Sequence, residues 1–235
     1  MLMAPAMIIG FVFMGLGMLV SWRLKSRFNE YSKIPSQRGL TGAQIAEQML
    51  RENGIHDVKV VSTPGMLTDH YSPMTKTVNL SEGVYNQANA AAAAVAAHEC
   101  GHAVQHAHAY APLQWRSKMV PLQNISGTVL NFIMMISFIG GSVLSNKFPM
   151  DIVLWLVVIC YGAIALFSIV TLPVEFDASK RALAWIEKSG TATNEEYERS
   201  KKALNLAAMT YVVAALGAIV TMLYFVLRLV SSNRD

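Results

Sequence analysis

Residues 152–174 read IVLWLVVICYGAIALFSIVTLPV and contain no charged side chain. A helix needs about 20 mostly apolar residues to cross a bilayer core of about 30 Å. Residues 1–22, 119–146 and 203–227 form three further blocks without a charge. Only 14% of the whole chain is charged, whereas a soluble domain averages about 25%. The sequence therefore predicts a mainly α-helical integral membrane protein with four transmembrane helices.

The positions of lysine and arginine predict how these helices are oriented. Basic residues flank the blocks at 23–27, 116–118, 180–181 and 201–202. With four crossings, all these flanks lie on one side of the bilayer, and such flanks mark the cytoplasmic side. Because no basic residue precedes the first block, we interpret it as a retained anchor rather than a cleaved signal peptide. The expected location is the cell membrane, with several passes.

Charge and cysteine content narrow the classes of partner. The net charge of +4 suits basic flanks beside anionic lipid headgroups. No basic stretch with interleaved aromatic residues suggests nucleic acid, so the lipid bilayer is the predicted partner. The two cysteines, Cys100 and Cys160, indicate no disulfide framework.

Residues 23–118 form a polar insert long enough for a small α+β domain. Helical spacing of apolar residues predicts a helix over 41–53, which Gly54 is placed to stop. Short strands are predicted at 58–61 and 75–80. An alanine-rich run then predicts a buried helix from about residue 87 to residue 108, since alanine is the best helix former.

The predicted helix at 87–108 carries the chemistry, in the pattern His98-Glu99-Cys100-Gly101-His102. Residues four apart share one face of a helix, so both imidazoles can bind one zinc ion. Glu99 follows the first ligand and can take the proton of a zinc-bound water that attacks a peptide carbonyl. The pattern predicts one catalytic zinc, with Glu99 as the general base.

A catalytic zinc has three protein ligands, so one more is needed. His108 has metzincin spacing, but Gln105 occupies the position of the glycine that would turn the chain there. His106 is too far along the helix axis from His98 to share the ion, so a structural or supporting role is expected for it. Glu175 follows the third apolar block and opens a segment, 175–202, that is predicted as a mostly helical cytoplasmic loop. Glu175 is the favoured third ligand.

Together, the stretches His98–His106 and Glu175-Phe176-Asp177-Ala178-Ser179 resemble the YugP-type neutral zinc metallopeptidases of bacterial membranes. A more distant resemblance is to HtpX and the CAAX-prenyl proteases. It implies a zincin-like insert of the gluzincin type and Glu175 as the third ligand. Those proteins have aspartate where Ser179 stands here. Asp177 is therefore a candidate for the carboxylate that supports a zinc-bound histidine.

The resemblance also implies a group that stabilises the oxyanion and a strand that holds the substrate. Candidate oxyanion groups are His70, Tyr71, Tyr110 and Arg181. The predicted strand at 75–80 precedes the metal helix, as the edge strand of HtpX-like zincins does. Such a strand could pair with an extended peptide.

The leading hypothesis is a zinc metalloendopeptidase that cleaves proteins or peptides, including membrane proteins, near the cytoplasmic membrane face. One alternative is an intramembrane protease of the site-2 type, although the chain lacks the aspartate segment typical of that class. A second alternative is a non-catalytic membrane scaffold that uses zinc structurally. Zinc retention in a Glu99→Gln variant without cleavage would separate the enzyme from the scaffold.

Overall fold

The computed structural model describes residues 4–139 and 150–232 and is mainly helical, with one small sheet. The helices are α1 (Ala4–Tyr31), α2 (Gly42–Glu52), α3 (Glu82–Tyr85), α4 (Ala90–Ala107), α5 (Ala111–Ile139), α6 (Met150–Ser189) and α7 (Asn194–Ser232). The strands are β1 (Lys59–Thr63), β2 (His70–Ser72) and β3 (Thr77–Ser81).

Four of the described helices, α1, α5, α6 and α7, are long and apolar enough to cross a membrane. This confirms the number of membrane helices predicted from the uncharged blocks. Each helix extends beyond its block, because charged residues end the part suited to lipid without ending the helix. The last part of the block 119–146 lies outside the described residues.

Residues 175–202, predicted to be a mostly helical loop, are helical up to Ser189 and again from Asn194. Helix α6 continues through Pro173, although a proline removes one backbone hydrogen bond from a helix interior. Glu175 therefore lies on a long continuous helix, which gives its side chain a fixed direction.

The chain divides into two compact units. One comprises residues 1–18, 115–172 and 211–235. Its apolar core includes Leu130, Val157 and Phe225, and the rings of Tyr161 and Phe225 stack there. The other unit comprises residues 19–114 and 173–210 and contains the sheet and the metal-site motif.

Helix α4 forms the centre of the second unit. Asn89 caps its first turn by accepting a hydrogen bond from the amide of Ala92 at 2.8 Å. Its alanines between residues 91 and 97 are almost completely buried and share one core with Ile45 and Met49 of α2. Small side chains let neighbouring elements approach this helix closely, so the motif that follows them is held inside the unit.

The start and end of helix α2 follow from its sequence. Thr41 and Gln44 form a reciprocal capping box at its first turn. The helix ends at Glu52, and Gly54 follows with φ of +71°. The stop signal predicted at Gly54 is therefore confirmed.

The sheet differs from the sequence prediction in the position of its strands. Its order is β1-β3-β2, with β1 parallel and β2 antiparallel to β3. The strand predicted at 75–80 is thus β3, which is central, and the prediction that it is an edge strand was wrong. Strand β2, which the sequence analysis missed, lies at the edge.

Candidate metal centre

Three side chains from two helices place their ligand atoms together. His98 and His102 lie one turn apart on α4, and Glu175 lies on α6. The Glu175 Oε2 atom is 3.4 Å from Nε2 of His98 and 3.7 Å from Nε2 of His102. Within the described residues, this is the cluster of potential ligands that could hold a metal ion.

The spacing of these atoms fits zinc. At zinc–ligand distances of about 2.0–2.1 Å, two ligand atoms of a tetrahedral site lie about 3.3 Å apart. The observed separations of 3.4 and 3.7 Å come close to that value. Two imidazoles with one carboxylate also form a donor set typical of catalytic zinc, which leaves a position open for water or substrate.

The other proposed ligands lie elsewhere. His108 is the exposed residue that ends α4, and the helix continues past the motif as predicted. His106 is exposed, and its Nδ1 lies 2.7 Å from the hydroxyl of Tyr71. The thiol of Cys100 is buried and donates to the carbonyl of Ala46 at 3.5 Å. Burial raises the pKa of this thiol well above its usual value, which disfavours the thiolate that a metal would need.

Gly101 allows α4 and α6 to come together at the site. A Cβ atom at this position would lie 2.6 Å from the carbonyl oxygen of Ala178. That distance is below any normal contact, and the atom met is backbone, which cannot rotate away. The glycine between the two histidines therefore permits the approach that brings Glu175 to them.

Replacing Gly101 with alanine should both destabilise the protein and weaken zinc binding. Overpacking of this kind costs about 1–3 kcal/mol, and any shift of α6 moves Glu175. Thermal unfolding and bound zinc, measured together in detergent, test this. Gly127→Ala is the control, because a Cβ atom there meets nothing within 4 Å. Equal stability and zinc content in the two variants would contradict the expectation.

Gln105 links His102 to the opposite helix. Its side chain is fully buried, and its Oε1 lies 3.0 Å from His102 Nδ1. Its Nε2 donates to the carbonyl of Val174 at 2.8 Å and to Asp177 Oδ2 at 2.9 Å. Because Nε2 of Gln105 donates to these two oxygens, its Oε1 faces His102 and accepts a hydrogen bond from Nδ1–H of the imidazole. The His102 Nε2 then points towards Glu175.

Asp177 thus reaches the site indirectly. Its Oδ2 also accepts from Arg181 Nε at 2.6 Å, and the Arg181 guanidinium lies over the ring of Tyr110 at 5.8 Å. Both predicted residues therefore belong to one network behind His102. Neither is in the cluster of ligand atoms.

His98 has a different hydrogen-bonding partner from His102. Ser179 Oγ lies 3.2 Å from Nδ1 of His98. The serine hydroxyl can accept a hydrogen bond from Nδ1–H of this imidazole, as a carboxylate would. Each imidazole thus has a hydrogen-bonding partner on the nitrogen that faces away from Glu175.

Glu99 is held by strand β2, which no sequence pattern predicted. The main-chain amide of Tyr71, in β2, donates to Glu99 Oε2 at 2.9 Å. In an antiparallel pair, a residue that directs its amide outward does not bond to the neighbouring strand. The outer edge of β2 therefore faces Glu99. His70, beside it, is exposed and has Nδ1 2.8 Å from the carbonyl of Thr68.

The carboxylates near His102 change the pKa of its imidazole. Burial alone lowers the pKa of this imidazole, but hydrogen bonding to Glu175 and the carboxylates of Glu99 and Glu175 outweigh burial. The net effect raises the pKa of His102 above its usual value. Protons and a metal ion therefore compete for this nitrogen, and acid favours the proton.

Comparison with known proteins agrees with this geometry. The family model described as "Putative neutral zinc metallopeptidase" matches residues 6–230. The chain belongs to this family. A member from Bacillus subtilis (strain 168), "Putative membrane protease YugP", is 39% identical over 214 residues, which is 91% of this chain and 92% of the relative. No solved structure matches the chain.

Membership of the family confirms the resemblance noted from the two motifs. Family and geometry agree on the coarse character of the chain as a membrane protein with residues suited to zinc.

Proposed function

We propose that this protein is a zinc-dependent endopeptidase of the cell membrane, with one zinc ion held by His98, His102 and Glu175. The observation that carries the proposal is the position of Glu175 Oε2, 3.4 and 3.7 Å from the two imidazoles. Residues 77 positions apart in sequence meet there in the donor arrangement of zinc hydrolases, with Glu99 next to them. Such a zinc ion polarises a carbonyl and makes water acidic near neutral pH.

Glu99 acts as the general base. Its carboxylate is 8% exposed, and the Tyr71 amide fixes Oε2, which leaves Oε1 to accept a proton from the attacking water. The same group then returns this proton to the leaving amine. General acid–base catalysis of this kind contributes about 10²–10⁴-fold to a rate.

Gln105 and Ser179 orient the two imidazoles. Each contacts the Nδ1 atom of one histidine, which leaves both Nε2 atoms for the metal. Partners of this kind fix the tautomer and the ring direction. Asp177 and Arg181 extend the support for His102 by holding the Gln105 amide.

Substrate binding is assigned to the outer edge of β2. The Tyr71 amide marks the side that faces Glu99 but is itself used by that carboxylate. An extended peptide would therefore add at this edge by donating to the Tyr71 carbonyl. Arg181 belongs to the network behind His102, on the side away from Glu175, which disfavours it as the oxyanion donor. The Tyr71–His106 pair, with a hydroxyl and an imidazole 2.7 Å apart, is our candidate for that role.

The substrate class and the side of action follow from the membrane context. The basic flanks favour the cytoplasmic face for the site, so proteins of the same membrane and their cytoplasmic loops are the substrates we propose. Glu175, a glutamate on a long helix, completes the ligand set without the aspartate segment of site-2 proteases. The intramembrane alternative has no comparable support.

Metal removal tests the function directly. Purified protein should contain one zinc ion per chain and hydrolyse casein or a quenched peptide library. A chelator should abolish hydrolysis, and zinc added back should restore it. Hydrolysis that survives complete loss of zinc would refute a metallopeptidase mechanism.

The support of His102 can be tested separately. Gln105→Leu removes the acceptor of Nδ1, and loss of such a partner typically costs about 10- to 100-fold in metal affinity. Zinc affinity measured by competition with a chromophoric chelator reports this. The exposed Gln114→Leu is the matched control. Equal affinity in the two variants would show that Gln105 is not needed to orient His102.

A further inference from the structure

A cavity of about 740 Å³ lies in the unit that contains the sheet, between the C-terminal part of α1 and the start of α7. This volume is in the range of small-ligand sites, about 300–1,000 Å³. It is lined by five polar or basic side chains, Arg23, Ser26, Arg27, Lys202 and Asn205, together with Trp22, Tyr31 and Leu206. The peptidase site uses none of them.

The charge of the cavity is strongly positive. Arg23 and Arg27 lie one turn apart on α1, and Lys202 faces them from α7. Arg27 is paired with Glu30 at 2.6 Å. Among the residues that the structure describes, neither Arg23 nor Lys202 forms an ion pair, and no carboxylate lines the cavity. An anion is therefore the ligand that this lining favours.

Neutral donors accompany the cations. The hydroxyl of Ser26, the amide of Asn205 and the indole N–H of Trp22 can donate to phosphate oxygens. Arginine in particular recognises phosphate through two parallel hydrogen bonds. The combination suits a phosphate ester with further hydroxyl groups.

The two helices at the cavity are held in place by packing. Phe28 and Tyr31 of α1 and Ala203 and Leu204 of α7 are buried in the same apolar core. The backbone walls of the cavity are thus fixed before a ligand binds, although the exposed Arg23 and Lys202 side chains still have to be ordered. Preformed sites bind more tightly because they avoid that cost.

The sequence position of the lining points to a lipid. Trp22 is the last residue of the uncharged block 1–22, and Lys202 directly precedes the uncharged block 203–227. Tryptophan is enriched at headgroup depth in membrane proteins. Basic pockets between helices on the cytoplasmic side bind anionic headgroups. We propose that this cavity binds the phosphate-bearing headgroup of an anionic phospholipid, independently of any peptidase activity.

The chain offers a matched pair of variants for testing this. Arg23→Gln with Lys202→Gln removes two charges that line the cavity. Lys25→Gln with Lys201→Gln removes two charges from the same flanks, but these lysines do not line it. All four residues are exposed, so both variants should fold, as thermal unfolding can verify.

Native mass spectrometry of the full-length protein, with phosphatidylglycerol or phosphatidylcholine added, measures the binding. The wild-type protein should retain phosphatidylglycerol in preference to phosphatidylcholine. The variant with Arg23→Gln and Lys202→Gln should bind phosphatidylglycerol roughly 30-fold more weakly than the wild type, because each lost charge costs about 1 kcal/mol. The control variant should stay close to wild type.

Three results would overturn the proposal. Equal losses in the two variants would indicate diffuse surface charge rather than a site. Equal retention of the two lipids would remove the requirement for an anion. Displacement of phosphatidylglycerol by inorganic phosphate at similar concentration would identify a site for free anions instead of a lipid.

Discussion

Glu99→Gln is expected to abolish peptide hydrolysis while the protein keeps its zinc. Glutamine has nearly the same shape as glutamate, and its amide oxygen can still accept the hydrogen bond from Tyr71 at the position that Glu99 Oε2 now occupies. It cannot accept a proton from water at neutral pH. Loss of a general base lowers the rate by about 10²–10⁴-fold. Zinc content should be unchanged, because Glu99 is not in the cluster of ligand atoms.

Cleavage of a quenched peptide library and zinc content, measured on the same preparation, check this result. Glu47→Gln is the control, since Glu47 is exposed on α2 and distant in sequence from the motif. A Glu99→Gln protein that cleaves at the wild-type rate would exclude Glu99 as the base. Zinc-loaded wild type that cleaves no peptide or membrane protein would instead favour the non-catalytic scaffold.

The same variant can identify substrates. Proteomic comparison of membranes that contain wild type or Glu99→Gln should reveal proteins that accumulate only in the variant. The two proteins differ only in one carboxylate oxygen that is replaced by an amide nitrogen, and both should hold zinc. Differences between the membranes therefore report cleavage rather than loss of the fold.

The sequence predicted those features that depend on local spacing or on the absence of charge. His98 and His102 had to share a face once α4 was recognised as a helix. Glu175 was predicted as the third ligand because two histidines leave a catalytic zinc one ligand short and this glutamate directly follows an apolar block. The membrane helices were recognisable because four long stretches lack charge.

Features set by contacts between distant residues escaped prediction. Strand β2 has only three residues, His70–Ser72, which are too few to show alternation. The central position of β3 depends on its pairing with β1 and β2 together, which no local pattern encodes. Gln105 was noticed only as a departure from a glycine motif. Its role became visible from its contacts with Val174 and Asp177, about 70 residues away.

Glu175→Gln is expected to cause the largest loss of zinc of any single substitution outside the two histidines. Structural zinc sites gain about 10–16 kcal/mol from four ligands, roughly 2.5–4 kcal/mol for each. Loss of one anionic ligand should therefore weaken binding by about 10²–10³-fold. The glutamine amide oxygen is neutral and a poorer ligand, and the buried cation would lose a compensating negative charge.

Two controls on the same helix make the measurement specific. Glu187→Gln changes an exposed glutamate of α6 in the same way and should leave zinc affinity at the wild-type value. Asp177→Asn should have an intermediate effect, because Asp177 supports His102 only through Gln105. We expect the loss of zinc affinity to decrease in the order Glu175→Gln, Asp177→Asn, Glu187→Gln. This order would distinguish a zinc ligand from a residue that only supports a ligand. Equal zinc affinity in Glu175→Gln and Glu187→Gln would mean that the third ligand is a different residue, because a carboxylate that holds the ion cannot be neutralised without cost.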